Sequence, residues 1–301
     1  MKYIWLVAVL VLFNSCKKED NDPVINNPTT AGLSYAVSDS NFSTTYANLR
    51  SALQSNSDIT IVAEVNHTAN AQNENEDLRN TRLIIFGNPA LGTPLMQLDQ
   101  LAGLDLPQKM LVYEDRDGNV FAAYNSTAYL SARHQVTGAS SIQQINSALN
   151  TFAFSATGGT VSENSSASIS NHQGVFTSVS QNDFITTYNK LRNAISDDPN
   201  LTIISEVNHQ SNAQSEGLFL NPTRLIIFGD ANLETSLLKS SQTAGIDLPQ
   251  KMLVWEEEDG TVNISYNNPE YIGTRHSITD NAENIAAIKN ILVNMAADAS
   301  N

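Results

Sequence analysis

From Phe42 to His134 every residue can be laid, without a gap, on the residue 142 positions later, Phe184 to His276, and 48 of the 93 pairs are identical. Such a chain must fold as two copies of one domain. The chain has five histidines among its 301 residues. Four of them are two positions repeated, His67 with His209 and His134 with His276. Copies that have drifted at half their positions yet kept these rings point to what the fold or a site needs, without naming a reaction.

The N-terminus reads as a processing signal. Lys2 precedes an unbroken apolar run, Ile4 to Phe13, that ends in Asn14-Ser15-Cys16. Ten residues are too few to cross a bilayer as a helix, which needs roughly 20. Cys16 is the only cysteine. It stands where a lipoprotein signal peptidase would leave it as the new first residue, with small Ser15 before it and a polar tether after it. An ordinary secretory signal with an incidental cysteine is the alternative. The box departs from the usual pattern, with Phe13 rather than leucine three residues before the cysteine. It resembles the loosened boxes of some bacterial lipoproteins, which implies a lipid on Cys16, attachment to the membrane and a cell-envelope location at the outer membrane. Lys17-Lys18-Glu19-Asp20 resembles a surface-export signal, although four charges in a tether are usually only solvated.

With Cys16 lipidated, no thiol remains for a disulfide, a metal or a nucleophile. Stability then falls to the apolar cores, and with 41% hydrophobic residues each copy is long enough to bury one. The formal charge of −15 argues against nucleic acid as a partner, since a phosphate backbone would be repelled. The expected divisions are a signal peptide at 1–15, a tether at 16–30, a first repeat at 31–154, a flexible Ser/Gly/Asn-rich linker at 155–173 and a second repeat at 174–301.

Within the first repeat a strand over Leu33 to Ser38 precedes a helix capped by Ser40 or Asn41, with Phe42, Tyr46, Leu49 and Leu53 at helical spacing. Ile59 to His67 reads as a strand with Ile61, Ala63, Val65 and His67 on one face. A polar segment, Thr68 to Asn80, leads to Leu83–Phe86, apolar enough for a strand covered on both faces. A long connection then reaches a hairpin, Lys109–Asp115 and Asn119–Asn125, turned by Asp117-Gly118. A short helix carries Tyr129 to His134, and a longer one follows with Ile142, Ile145, Leu149 and Phe152 as its stripe. The second repeat uses Ile285, Ile288, Leu292 and Met295 for that stripe. The sum is an α+β fold with a mainly antiparallel sheet in each of two copies.

The strings EVNH at 64–67, TRLIIFGNP at 81–89, GTPLMQ at 92–97, LDLPQKMLVYED at 104–115 and YLSARH at 129–134 resemble the family called domain of unknown function 302. The second copy carries EVNH, NPTRLIIFG, IDLPQKMLVWEE, YNNP and Arg275-His276. It departs from GTPLMQ, reading Glu234-Thr235-Ser236-Leu237-Leu238-Lys239, so that loop need not serve one role in both copies. The first copy departs at Asn80, where the family and Pro222 have proline. The resemblance implies a strand-helix-four-strand-helix sandwich like each half of the TATA-binding protein. It also implies dimers, which in a tandem chain become an internal pseudo-dimer. It establishes no activity and leaves any cofactor unknown, and similarity to a DNA-binding fold carries no functional weight.

The candidate binding residues are His67, Glu114, Tyr124, Asn125, Arg133 and His134, duplicated as His209, Glu256, Tyr266, Asn267, Arg275 and His276. Glu114 ends a strand on the face of Met110 and Val112, where Arg133 is the natural cation to pair with it. Tyr124 and His134 complete the cluster. His67 and Glu114 could serve as acid and base, or His67, His134 and Glu114 could hold zinc. A salt-bridged structural cluster is weighed ahead of a ligand or metal pocket, and that ahead of catalysis. Asp105 and Lys109, with Asp247 and Lys251, flank a Leu-Pro turn and are read as fixing it. Asn66, Asn70 and Gln72 recur and could line a polar pocket or cap the segment that follows the strand.

Overall fold

The computed structural model describes residues 25–301. The signal, Cys16 and the Lys17–Asp20 string lie outside the described residues. β1 (Leu33–Val37) leads into α1 (Phe42–Gln54), whose N-terminus is closed by the Asn41 side chain accepting from the Thr44 amide. β2 (Thr60–Asn66), β3 (Thr81–Gly87), β4 (Gln108–Glu114) and β5 (Val120–Asn125) follow, separated by α2 (His67–Asn73) and α3 (Pro89–Leu98). α4 (Thr127–His134) and α5 (Ile142–Thr157) close the repeat, and a short β6 (Ser162–Glu163) pairs back on β1. The second repeat runs β7 (Val175–Val179), α6 (Phe184–Asp197), β8 (Thr202–Asn208), α7 (His209–Ser215), β9 (Thr223–Gly229), α8 (Ala231–Ser240), β10 (Gln250–Glu256), β11 (Val262–Asn267), α9 (Pro269–Arg275) and α10 (Ala282–Ser300).

Each repeat forms one antiparallel sheet, in the order β2-β3-β4-β5-β1-β6 and β7-β11-β10-β9-β8. The period of two along these strands decides the layering. In β3, Ile84 and Phe86 pack under α1 and α5, while Leu83 and Ile85 point the other way. There they join Leu111, Phe121 and, from the second repeat, Leu225, Ile227 and Leu253 in one shared core. The result is helices, sheet, sheet, helices, with the two inner sheet faces packed on one another. That arrangement is why β3 and β9 are apolar on both faces.

The same packing exchanges elements reciprocally. Ala213 of α7 and Leu220 join the first repeat's helix-side core, and Leu78 packs on the second repeat's. Gln242 Nε2 donates to Thr81 Oγ1 (2.8 Å) and the Glu114 carbonyl (3.0 Å). Its counterpart Gln100 donates to Thr223 Oγ1 (2.9 Å) and the Glu256 carbonyl (3.2 Å).

Three expectations change. β2 carries a bulge between Ile61 and Ala63, repeated at Ile203 and Ser205. The extra residue reverses the alternation, so Ile61 packs on the helix side while Ala63 and Val65 face the other sheet, and His67 leaves the strand as the first residue of α2. The polar 68–80 segment and the long connection before β4 hold α2, α3 and a 3-10 turn at Gln100–Leu104. The stretch read as a flexible linker is tied down: Asn164 Nδ2 donates to the Pro28 and Thr30 carbonyls (2.8 and 3.0 Å), and the His172 amide donates to the Arg133 carbonyl (2.7 Å).

Candidate functional site

Where the repeats meet, the ends of α4 and α9 deliver two buried arginines. Arg133 Nη1 donates to Asp105 Oδ2 (2.8 Å) and its Nη2 crosses to Asn267 Oδ1 (2.7 Å). Arg275 Nη1 donates to Asp247 Oδ2 (2.7 Å) and its Nη2 crosses to Asn125 Oδ1 (2.8 Å). Each guanidinium also lies over a tyrosine of the other copy, Arg275 4.0 Å from the Tyr129 ring and Arg133 5.1 Å from Tyr271. Lys109 and Lys251 are buried beside the same aspartates and donate to the Asp105 and Asp247 carbonyls at 3.4 and 2.7 Å.

Burial alone would raise the two aspartates, but Arg133 and His134, or Arg275 and His276, hold both carboxyls far below their ordinary range. Burial, reinforced by Lys109, pulls Lys251 down to about 7, and Lys109 is lowered for the same first reason. Asp105 and Lys109 are therefore more than turn residues: with their duplicates they are the charged centre that joins the copies. A buried pair broken on one side costs about 3–5 kcal/mol, because the remaining charge is left buried without its counter-charge.

The two histidines of the centre differ. Since the aspartates are ionised, His134 Nε2–H donates to Asp105 Oδ2 (2.8 Å) and His276 Nε2–H to Asp247 Oδ2 (2.9 Å), which leaves each Nδ1 as the free atom. His276 Nδ1 accepts from the Thr243 hydroxyl at 2.9 Å. His134 Nδ1 has no hydrogen-bond partner and lies 3.5 Å from Asp99 Oδ2, to which His172 Nε2 comes within 2.8 Å. Burial lowers both rings. The carboxylates of Asp105 and Asp99 outweigh it at His134, which is raised, whereas His276 stays lowered.

His67 and His209 lie elsewhere. Each opens its short helix, is buried, and sits against the 3-10 turn of the opposite repeat: His67 Nε2 is 3.6 Å from where a Cβ on Gly245 would be, and the Gly103 carbonyl acts on His209. Burial pulls both down to about 4, so both rings are neutral at pH 7. Asn66 caps α2 through the Ala69 amide and, with Asn70, borders a half-open polar groove of about 660 Å³.

His209 also lines a mainly apolar pocket in the first repeat. Phe86, Leu91, Met96, Leu106, Ile145, Leu149 and Phe152 form its walls, around a half-open cavity of about 150 Å³. Three of its lining residues carry a buried side-chain atom with no hydrogen-bond partner: Thr93 Oγ1, Gln108 Nε2 and His209 Nε2. Gly92 keeps the space open, since a Cβ there would touch only Leu106 Cδ1, at 3.7 Å. The equivalent place in the second repeat holds Glu234, only 4% exposed; about 10 Å³ remains on its apolar side, and it also borders the polar groove of about 660 Å³. Glu234 Oε1 accepts from the Gln250 amide (3.2 Å), and burial pushes this carboxyl up to about 8, so it stays protonated at neutral pH.

The family of domain of unknown function DUF302 matches the chain twice, over residues 33–152 and 176–295. The chain belongs to the DUF302 family. A solved structure described as an uncharacterized conserved DUF302 protein from Bacillus stearothermophilus is similar at 18% identity and a TM-score of 0.39, covering 43% of this chain and 99% of that one. Two curated relatives share 38% identity over 78 residues, 26% of this chain. They are the fluoride-specific ion channel FluC 1 of Brucella suis biovar 1 (strain 1330) and that of Brucella abortus biovar 1 (strain 9-941). The match spans only 31% and 29% of their lengths. Among the described residues of this DUF302 chain, no helix is long and apolar enough to cross a membrane.

Of the DUF302 residues singled out from the sequence, Asn125, Arg133 and His134 do assemble with Asn267, Arg275 and His276. Glu114 is not the partner of Arg133; its carboxylate accepts from Asn80 Nδ2 (2.8 Å), because α4 turns Arg133 toward the shared core and Asp105. Glu256 likewise joins no arginine and meets the other repeat through its backbone carbonyl. Tyr124 points under α5 and donates to Asn150 Oδ1 (3.2 Å), and Tyr266 packs edge-on with Phe176. The set His67, His134 and Glu114 is not brought together as a metal site. Asp99, His134 and His172 are, among the described residues. The missed residues left one signal, the break of GTPLMQ at Glu234.

Proposed function

We propose that this protein is a lipid-anchored envelope protein that binds one small neutral molecule, in the pocket of its first repeat. The observation that carries the reading is the mainly apolar cavity itself, whose lining includes Thr93, Gln108 and His209, each with a buried side-chain atom that has no hydrogen-bond partner. Burying such atoms unpaired costs roughly 1–3 kcal/mol each, a cost a ligand bearing oxygen would remove. A cavity of about 150 Å³ takes a body about the size of one six-membered ring. His209 is neutral at pH 7, so an uncharged head group fits better than an ionised one. Glu234 supports this: in the second repeat a short chain tipped by a protonated carboxyl lies in the equivalent space.

On this reading the chain works as an internal pseudo-dimer, because His209 of the second repeat completes the pocket of the first. The lipid on Cys16 would hold the pocket at the membrane, and the half-open mouth would let a longer molecule project outward. Isothermal titration of the purified full-length protein with phenol tests the site. One phenol per chain is expected, lost in Gly92→Leu, which fills the cavity from a helix position that accepts a side chain. Phenol binding that survives Gly92→Leu, or no binding at all, rejects the pocket.

A further inference from the structure

The fifth histidine, outside the repeated pattern, brings a different chemistry. His172 follows the first repeat, and its backbone is held at a φ of +51°, a conformation few residues other than glycine adopt. Its amide is anchored on the Arg133 carbonyl at 2.7 Å, and its ring turns back onto Asp99. One donor atom from each of Asp99, His134 and His172 lies within 4.8 Å of the other two, and Asp99 Oδ2 is 3.5 Å from His134 Nδ1 and 2.8 Å from His172 Nε2. His134 is 1% exposed and its Nδ1 is unpartnered, while the other ring nitrogen is fixed on Asp105.

We propose that Asp99, His134 and His172 form a binding site for one divalent transition-metal ion of the zinc type, present in the first repeat only. Two imidazoles and a carboxylate are the donors such an ion takes, and nitrogen ligands disfavour magnesium and calcium. The Asp105–His134 hydrogen bond supplies the carboxylate-histidine support behind a metal ligand: it places the proton on Nε2 and aims the Nδ1 lone pair at the site. Tetrahedral ligation needs donors ~3.3 Å apart. The His134–Asp99 separation of 3.5 Å already suits this, and His172 must retreat by about half an ångström from its present 2.8 Å. The His172 side chain is 41% exposed, which gives it room to do so and leaves a fourth position facing solvent. The second repeat has Ser241 in place of Asp99, and its His276 Nδ1 is already taken by Thr243.

The test is calorimetric titration of zinc alone into the untagged full-length protein, with cobalt as an absorbing substitute. One equivalent per chain is expected, with cobalt giving the visible bands of a low-coordinate site. His172→Ala and Asp99→Asn should each weaken zinc at least tenfold, since even a supporting residue behind a ligand is worth 10- to 100-fold. Ser241→Ala should leave it unchanged. His172 is at the surface, so its variant keeps the fold, verifiable by circular dichroism. Absence of saturable zinc binding, or binding unaltered in both His172→Ala and Asp99→Asn, overturns the site.

Discussion

Where the first repeat has Gly92 the second has Glu234, and where the first has Asp99 the second has Ser241. Around these two substitutions the frames are the same: the same bulge, the same Arg-Asp-His grouping, the same tyrosine under the other copy's arginine. In one copy a cavity lies open and a histidine nitrogen faces a carboxylate. In the other the cavity is filled by the chain's own carboxyl, and the nitrogen is capped by a hydroxyl. On the proposed reading, the lesson is a division of labour after duplication. The charged centre has to be present twice, because each half is completed by residues of the other, whereas one open pocket suffices.

The largest expected effect tests the shared part. Asp105→Asn and Asp247→Asn each leave a buried arginine without its counter-charge and should each cost about 3–5 kcal/mol in urea unfolding. Costs differing by several kcal/mol between the two would break the equivalence of the copies at the centre.

Next comes the plug. Glu234 titrates at about 8 in the fold against 4.5 as a free side chain. Between those values the unfolded chain has released the proton that the fold keeps. The folded state therefore loses stability as pH rises from 4.5 to 8, by on the order of 4 kcal/mol. Glu234→Gln should flatten this loss relative to the parent when unfolding is measured at pH 5 and pH 8; a parallel shift at both would contradict a protonated plug. The first repeat, with Gly92, contributes nothing of the kind.

The buried histidines work in the opposite direction. Held at about 4 instead of 6.5, His67 and His209 stay neutral in the fold while the unfolded chain takes up protons. Each contributes roughly 3 kcal/mol that is fully present above pH 6.5 and is lost as pH falls toward 4. His67→Gln and His209→Gln should weaken that acid dependence equally, seen in chemical unfolding at pH 7 and 4.5. Only His209→Gln should also weaken phenol binding. Equal effects of both variants on phenol would remove the asymmetry. Smallest are the crossing glutamines: Gln100→Ala and Gln242→Ala should cost about 1–2 kcal/mol each by thermal denaturation, with Gln242 the larger because it also accepts from Arg79.

Much of the fold was legible because apolar spacing decides it. The stripe of α1, the doubly apolar β3 and the Asp117-Gly118 hairpin all stand where the sequence puts them. α2 and α3 were not legible, since α2 is short and mostly polar and α3 contains Pro94; in the fold α2 packs on α8 and α3 on α7 of the opposite repeat. Arg133 and His134, grouped from the sequence, stand side by side on Asp105. The partner of Arg133 and His134, Asp105, was hidden because a carboxylate beside a Leu-Pro turn reads as turn chemistry, and Asn125 instead accepts from Arg275 of the other repeat. Asp99 and His172 lie 73 positions apart, outside any local motif, and only the folding back of the segment after α5 joins them. The pocket left its trace as a mismatch, Gly92 against Glu234.

The claim that one repeat binds while the other is self-filled is tested most directly by soaking crystals of the protein with phenol. The prediction is density for one ring beside Gly92, Thr93, Gln108 and His209, with its oxygen toward those polar atoms and nothing bound beside Glu234. Phenol equally occupying both repeats, or bound only outside the cavity, would contradict it.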